Sequence, residues 1–188
     1  MPSALTKAAE GYPRRAFTVD EIIAMQDAGI ISEEVNFELI EGEIVPTGPK
    51  YSAHERIKSK IAMALVRACP SDLILGFETS IFLSSNTFVE PDISLYPERL
   101  RSQEVRGPDV LLAIEAAASS LAYDLDLKAK LYARHGIEEY WVVDANERVT
   151  FVHQGPSEAG WTSVTRKGPE ETLRCAAVPE FKFRLVDA

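Results

Sequence analysis

Three stretches decide the fold: Val110-Leu-Leu-Ala-Ile-Glu115, then Asp124-Leu-Asp-Leu-Lys128, and beyond Gly136 the run Tyr140-Trp-Val-Val-Asp144. Val110 to Glu115 is a short apolar run, the mark of a central strand buried on both faces. From Asp124 to His135 the pattern is helical and stops at Gly136. Tyr140 to Asp144 and Val149 to His153 form a hairpin around Ala145-Asn146. Strands and helices in this order give an α/β (α+β) fold, a mixed β-sheet flanked by helices.

Further elements extend outward from this centre. Thr18-Val-Asp-Glu21 is a capping box that opens a helix carrying Ile22, Ile23 and Met25 and ending near Gly29. Phe37 to Val45 reads as a tight hairpin with its turn at Glu41-Gly42. Ser52-Ala-His-Glu55 is a second capping box, and Ile57, Ile61 and Leu65 behind it predict an amphipathic helix over 53–68, ended by Pro70. Strands are expected over Leu73 to Leu83 and Thr87 to Tyr96, with weaker ones near Trp161 to Thr165 and Phe181 to Val186. Residues 1–16 are read as a loose N-terminal segment and 17–188 as a single domain.

Composition narrows the function. In 188 residues, 46% hydrophobic and 26% charged, a core forms without disulfide or structural metal. Acidic residues number 29 against 20 basic, a net charge of −9, which excludes a globally basic nucleic-acid-binding domain but not a local basic patch. Cys69 and Cys175 show no zinc or CxxC spacing and fit small hydrophobes in a reducing compartment. No apolar run approaches the roughly 20 residues of a membrane span. Residues 1–15 lack the apolar centre of a secretory signal, so a cytoplasmic location is expected. No Gly-rich phosphate loop is present, so no nucleotide cofactor is expected.

Lys128 is out of place. Leu121, Leu125, Leu131, Tyr132 and His135 lie at −7, −3, +3, +4 and +7 from it, which sets it in the middle of the apolar stripe. Such a lysine either snorkels to solvent or finds a partner, because lysine is almost never fully buried alone. Glu115 ends the central strand, where α/β folds place their sites. Asp92 lies in Val89-Glu-Pro-Asp-Ile-Ser-Leu95, on the face opposite Ile93 and Leu95. Singly, each carboxylate reads as structural. Together, two carboxylates from adjacent strands and an inward lysine make a coherent site. Two acidic groups suit Mg²⁺, with Mn²⁺ as a substitute, and the lysine serves to orient or deprotonate a water or to offset developing phosphoryl charge.

Pro91-Asp92, Glu115 and a lysine together resemble the PD-(D/E)XK nuclease superfamily. The strict Glu-x-Lys tripeptide is absent, since position 117 is Ala. Asp124-Leu-Asp-Leu-Lys128, Leu131-Tyr132 and Gly136-Ile-Glu-Glu-Tyr-Trp-Val-Val-Asp144 resemble its Uma-type restriction endonuclease branch, long carried as a domain of unknown function, whose lysine has migrated to the helix after the strand glutamate. Phe37-Glu-Leu-Ile-Glu-Gly-Glu-Ile44 and His54-Glu-Arg-Ile57 resemble its N-terminal signature. The family's Ser-Pro turn after the glutamate is replaced by Ala117-Ala-Ser-Ser120.

The resemblance implies a restriction-endonuclease-like core and a metal-dependent endodeoxyribonuclease that hydrolyses DNA phosphodiester bonds. Asp92 and Glu115 would be its metal ligands and, with Lys128, its catalytic residues. A homodimer would address both strands. Glu38 and His54 become accessory candidates. By alternation Glu38 reads as a solvent-face glutamate, and His54, in the first turn of its helix, faces phosphate or solvent. His135 and His153 have no partner at ligand spacing. Arg56, Lys58 and Lys60 are candidate DNA contacts. Two alternatives stay open. One is a catalytically weak or inactive nuclease-fold module that binds nucleic acid or a protein. The other is a metal-dependent hydrolase acting on something other than DNA.

Overall fold

The computed structural model describes residues 11–32, 34–48 and 52–188, the side chains of 52–54 excepted. The segment expected to be loose, 1–16, lies outside the described residues up to position 10. In chain order the first elements are α1 (Val19–Asp27), β1 (Phe37–Ile40), β2 (Glu43–Pro46), α2 (Ser52–Ala68), β3 (Leu73–Phe77), β4 (Ile81–Ser84), β5 (Thr87–Val89) and β6 (Ile93–Pro97). Then come β7 (Leu112–Ala117), α3 (Leu121–Tyr123), a π-helical turn (Asp124–Lys128), α4 (Ala129–Arg134), β8 (Glu139–Asp144), β9 (Val149–Ser157), β10 (Gly160–Lys167), β11 (Leu173–Cys175) and β12 (Val178–Phe183). The chain divides into two compact units, Met1–Pro49 with Phe82–Val89, and Lys50–Ile81 with Glu90–Ala188.

In the smaller unit the capping box of α1 forms as read. The Thr18 hydroxyl accepts the Glu21 N–H at 3.2 Å, and the Glu21 carboxylate accepts the Thr18 N–H at 3.0 Å. Two of the N–H groups that a helix start leaves open are thereby satisfied. The β1–β2 turn places Glu41 at φ 50° and Gly42 at φ 85°, two left-handed residues in succession, the pairing whose twist suits a two-residue hairpin. Gly42 is also crowded: a Cβ there would lie 2.5 Å from the Ala16 Cβ. Val19, Ile22, Phe37, Leu39 and Phe88 form the core of this unit.

The larger unit is built on a six-stranded sheet in the order β10-β9-β8-β7-β6-β3. Only β7 and β8 run parallel, joined by α3, the π turn and α4; every other neighbouring pair is antiparallel. On one face Ile57, Ile61 and Leu65 of α2 meet Ile93, Leu95, Leu112, Ile114, Trp141 and Val143, with Phe181 of β12 beside them. Alternation then turns Ala113, Glu115 and Tyr140 to the opposite face.

Several expectations are corrected. The two long strands, Leu73 to Leu83 and Thr87 to Tyr96, are each broken in two. Glu78, at φ 51°, ends β3 in a left-handed conformation unfavourable for a side-chain-bearing residue. Pro91 has no N–H for a ladder, so β6 starts only after Asp92. The helix expected from Asp124 carries a π turn over five residues. The last strand begins earlier than expected, at Val178, and β11 had no counterpart in the sequence reading. The second capping box rests on a Ser52 side chain outside the described residues, and Glu55 pairs with Lys58 at 2.9 Å. Cys69 is half-buried and Cys175 buried, both free; burial and the nearby Glu139 push the Cys175 thiol up to about 11. Among the described residues, no helix is long and apolar enough to cross a membrane.

The hairpin turn gives a direct test. Gly42→Ala combines a left-handed φ with a clash, so urea unfolding should show a loss of more than about 1 kcal/mol. Gly29→Ala, at φ 69° with nothing within 4 Å of the new methyl, should lose less. Equal losses would contradict the steric part of the account.

Candidate active site

The β6–β7 register pairs Ile93 with Ile114. Asp92 is a bend residue directly before Ile93, and Glu115 directly follows Ile114 on β7. Both carboxylates are buried, at 3% and 7% exposure. Asp92 Oδ2 accepts the Ala116 N–H at 2.9 Å, which ties the first carboxylate to the residue after the second. Glu115 does not end its strand as expected, because β7 runs on to Ala117; Asp92 stands just before β6, and its bond to Ala116 brings the two segments together.

Lys128 enters from the β7–β8 connection. The Ala129 N–H reaches back to the Asp124 carbonyl, closing the wide turn. Neighbours pin the turn at both ends. The Ser120 hydroxyl donates to the Asp124 carboxylate at 2.6 Å, the Tyr140 hydroxyl donates to the Asp124 carbonyl at 3.2 Å, and the Trp161 indole N–H donates to the Ala129 carbonyl at 2.7 Å. Lys128 Nζ lies 2.7 Å from Glu115 Oε1, with the two side chains only 6% and 9% exposed. The Tyr132 hydroxyl donates to the same oxygen at 3.1 Å, and the ammonium lies 5.9 Å from the Tyr123 ring centroid. Lys128 is thus buried and paired, not snorkelling. Single-turn π insertions recur at functional sites, where they re-aim a side chain.

A second ammonium approaches from α2. Lys58 Nζ lies 2.9 Å from Glu55, 2.7 Å from Glu78 and 4.0 Å from Asp92, with its side chain 12% exposed. Burial alone would lower its pKa, but the bonds to Glu78 and Glu55 and the charge of Asp92 outweigh it and hold Lys58 above the usual lysine value. Of the three basic residues expected on this helix, Lys58 is committed to carboxylates, while Arg56 and Lys60 are exposed. Glu38 is buried in β1 of the smaller unit, at 1% exposure, so it is no solvent-face glutamate. The His54 side chain lies outside the described residues. His153 is buried between the Tyr140 and Trp161 rings, its Nδ1 3.2 Å from the Tyr140 carbonyl, and burial pushes its imidazole below the usual value.

Sequence reasoning named Tyr132 only as part of an apolar stripe, although its position four residues beyond Lys128 already put its hydroxyl on the lysine's face. It missed Glu78 and Asp124. Among the described residues, no group of three or more His, Cys, Asp or Glu is arranged to hold a metal. Two adjacent buried carboxylates nevertheless fit Mg²⁺, which usually takes one or two carboxylates and keeps several waters.

The mixed sheet, the buried carboxylates of Asp92 and Glu115 and the lysine on the following helical segment define a restriction-endonuclease-like nuclease fold. The family described as "Putative restriction endonuclease", Uma2, matches residues 19–186, and the chain belongs to it. Its structure is similar to a crystal structure described as that of a "putative nuclease belonging to DUF820" from Anabaena variabilis. The TM-score is 0.72 at 17% identity, over 91% of this chain and 96% of that one. At that identity the likeness speaks to the fold alone. No curated protein matches the chain.

Removing one partner of the buried pair leaves the other charge uncompensated. In metal-free buffer Lys128→Met should therefore lower unfolding stability by about 3 kcal/mol. Adding Glu115→Gln should return most of that loss, because the two effects are coupled. Chemical denaturation of the wild type, the single variant and the double variant measures it; a double variant that loses as much as the single would contradict the coupling.

Proposed function

We propose that this chain is a Mg²⁺-dependent endodeoxyribonuclease that hydrolyses DNA phosphodiester bonds in the cytoplasm. Membership of the restriction endonuclease family supports the nuclease class. The observation that carries the finer reading is the buried Lys128–Glu115 pair at 2.7 Å, beside an Asp92 whose carboxylate accepts the Ala116 N–H at 2.9 Å. Asp92 and Glu115 would hold the ion. A bound divalent ion would supply Lewis-acid polarisation of a phosphoryl oxygen and a more acidic water.

The chain's own residues do the rest. Lys128 carries a positive charge fixed by its partner, so its ammonium orients an attacking water or offsets charge growing on the phosphate, without reorganising during reaction. Tyr132 holds the Glu115 carboxylate in place through its 3.1 Å hydrogen bond. Arg56 and Lys60, exposed on α2, are available to backbone phosphates. Glu38 and His54 remain accessory candidates. The net charge of −9 opposes tight sequence-independent binding. The family match over residues 19–186 supports reading 17–188 as one nuclease-like domain. A C₂ homodimer, the commonest soluble assembly, would let two sites address two strands, and light scattering should then give twice the chain mass.

Cleavage of supercoiled DNA with Mg²⁺ or with EDTA tests the proposal. The wild type should cut only with the ion. Lys128→Met should cut about a hundred- to a thousandfold more slowly while still binding Mn²⁺. Asp92→Ala and Glu115→Ala should lose Mn²⁺ binding. Cleavage in EDTA, or a Met variant as fast as the wild type, would sink the reading. DNA bound without cleavage would favour the non-catalytic module instead.

A further inference from the structure

The site holds two ammonium groups, and the chemistry above uses only one. Three carboxylates surround the Lys58 ammonium, those of Glu55, Glu78 and Asp92. Glu55 lies one turn back on α2, and Glu78 lies just past the end of β3. Glu78 adopts its left-handed φ of 51° while its N–H meets the Asp92 carbonyl at 3.4 Å, which links the Lys58 partner to the backbone of Asp92. A backbone of this kind costs energy and persists only where its surroundings over-determine it. The two carboxylates are also held differently. Glu115 is in direct hydrogen-bond contact with Lys128, whereas the Lys58 ammonium stands 4.0 Å from Asp92 Oδ1 and closer to Glu55 and Glu78.

We propose that Lys58 is a positioning residue, a tethered counter-cation that balances Asp92 when no divalent ion is bound and competes with that ion for it. Lys58 then sets how tightly the site takes Mg²⁺. The inference rests on reading Asp92 and Glu115 as the ligands. A cation held at Asp92 is repelled by an ammonium a few ångströms away, and the ammonium already gains from the charge the ion would need. Glu55 and Glu78 draw Lys58 partly aside, so the competition is adjustable and not absolute.

Titration calorimetry with Mn²⁺ alone, without DNA, tests this independently of activity. Lys58→Met should bind Mn²⁺ about tenfold more tightly than the wild type, because an opposite charge at this range typically changes a carboxylate's affinity for a cation by about an order of magnitude or more. Lys58→Arg, which keeps the charge, should stay close to the wild type. A purely architectural lysine predicts the reverse, a looser site and weaker binding in Lys58→Met. Lys58→Gln carries the same test should the Met variant fail to fold. Neutral variants that bind Mn²⁺ no more tightly than the wild type would overturn the inference. Asp92→Ala separates the two claims. If it abolishes binding while the neutral variants fail to tighten it, only the role of Lys58 falls. If binding survives Asp92→Ala, the metal-site reading falls with it.

Discussion

The Lys128–Glu115 ion pair is the constraint on which the larger unit turns. An ammonium and a carboxylate withdrawn from water are tolerable only if each holds the other at close range and further bonds complete the set. The central strand supplies the carboxylate, from Glu115, two residues before the strand ends at Ala117. The connection to the parallel strand must then bring a lysine back over the sheet, at one depth and one angle. The π turn does this, and Ser120, Tyr140 and Trp161 fix the turn by hydrogen bonds at both of its ends. Apolar residues of similar volume would often fill such a place at no loss of stability.

Around that pair the charges are arranged in opposition. Two carboxylates, one on β7 and one just before β6, meet two ammonium groups, one carried over the sheet by the β7–β8 connection and one reaching in from α2. Each carboxylate is also oriented by a neutral donor, the Tyr132 hydroxyl for Glu115 and the Ala116 N–H for Asp92. Lys58 also pairs with Glu55 and Glu78, so the cluster holds more carboxylates than ammonium groups.

Features set by neighbouring residues in the chain were legible in the sequence. The Thr18–Glu21 capping box, the Glu41-Gly42 turn and the α2 apolar stripe each depend on spacings of a few residues, and each forms. Lys128 was legible as an anomaly because its stripe neighbours fall on one helical face. The π turn was not, since one extra residue in a single turn leaves the composition unchanged and is held by bonds from Tyr140 and Trp161 far along the chain. Likewise the breaks at Glu78 and Pro91 divide two apparently continuous strands between sheets, a choice made by tertiary pairing. The direction of Lys58 depends on Glu78, twenty residues away, and the burial of Glu38 depends on strands paired around β1. No local pattern encodes either.

The central claim is that Asp92 and Glu115 form one cation site next to Lys128. Anomalous diffraction from crystals soaked in Mn²⁺ tests it most directly. The account predicts an ion bound by both carboxylates, with the Lys128 ammonium still beside Glu115. An ion bound elsewhere, or one that touches neither Asp92 nor Glu115, would contradict it.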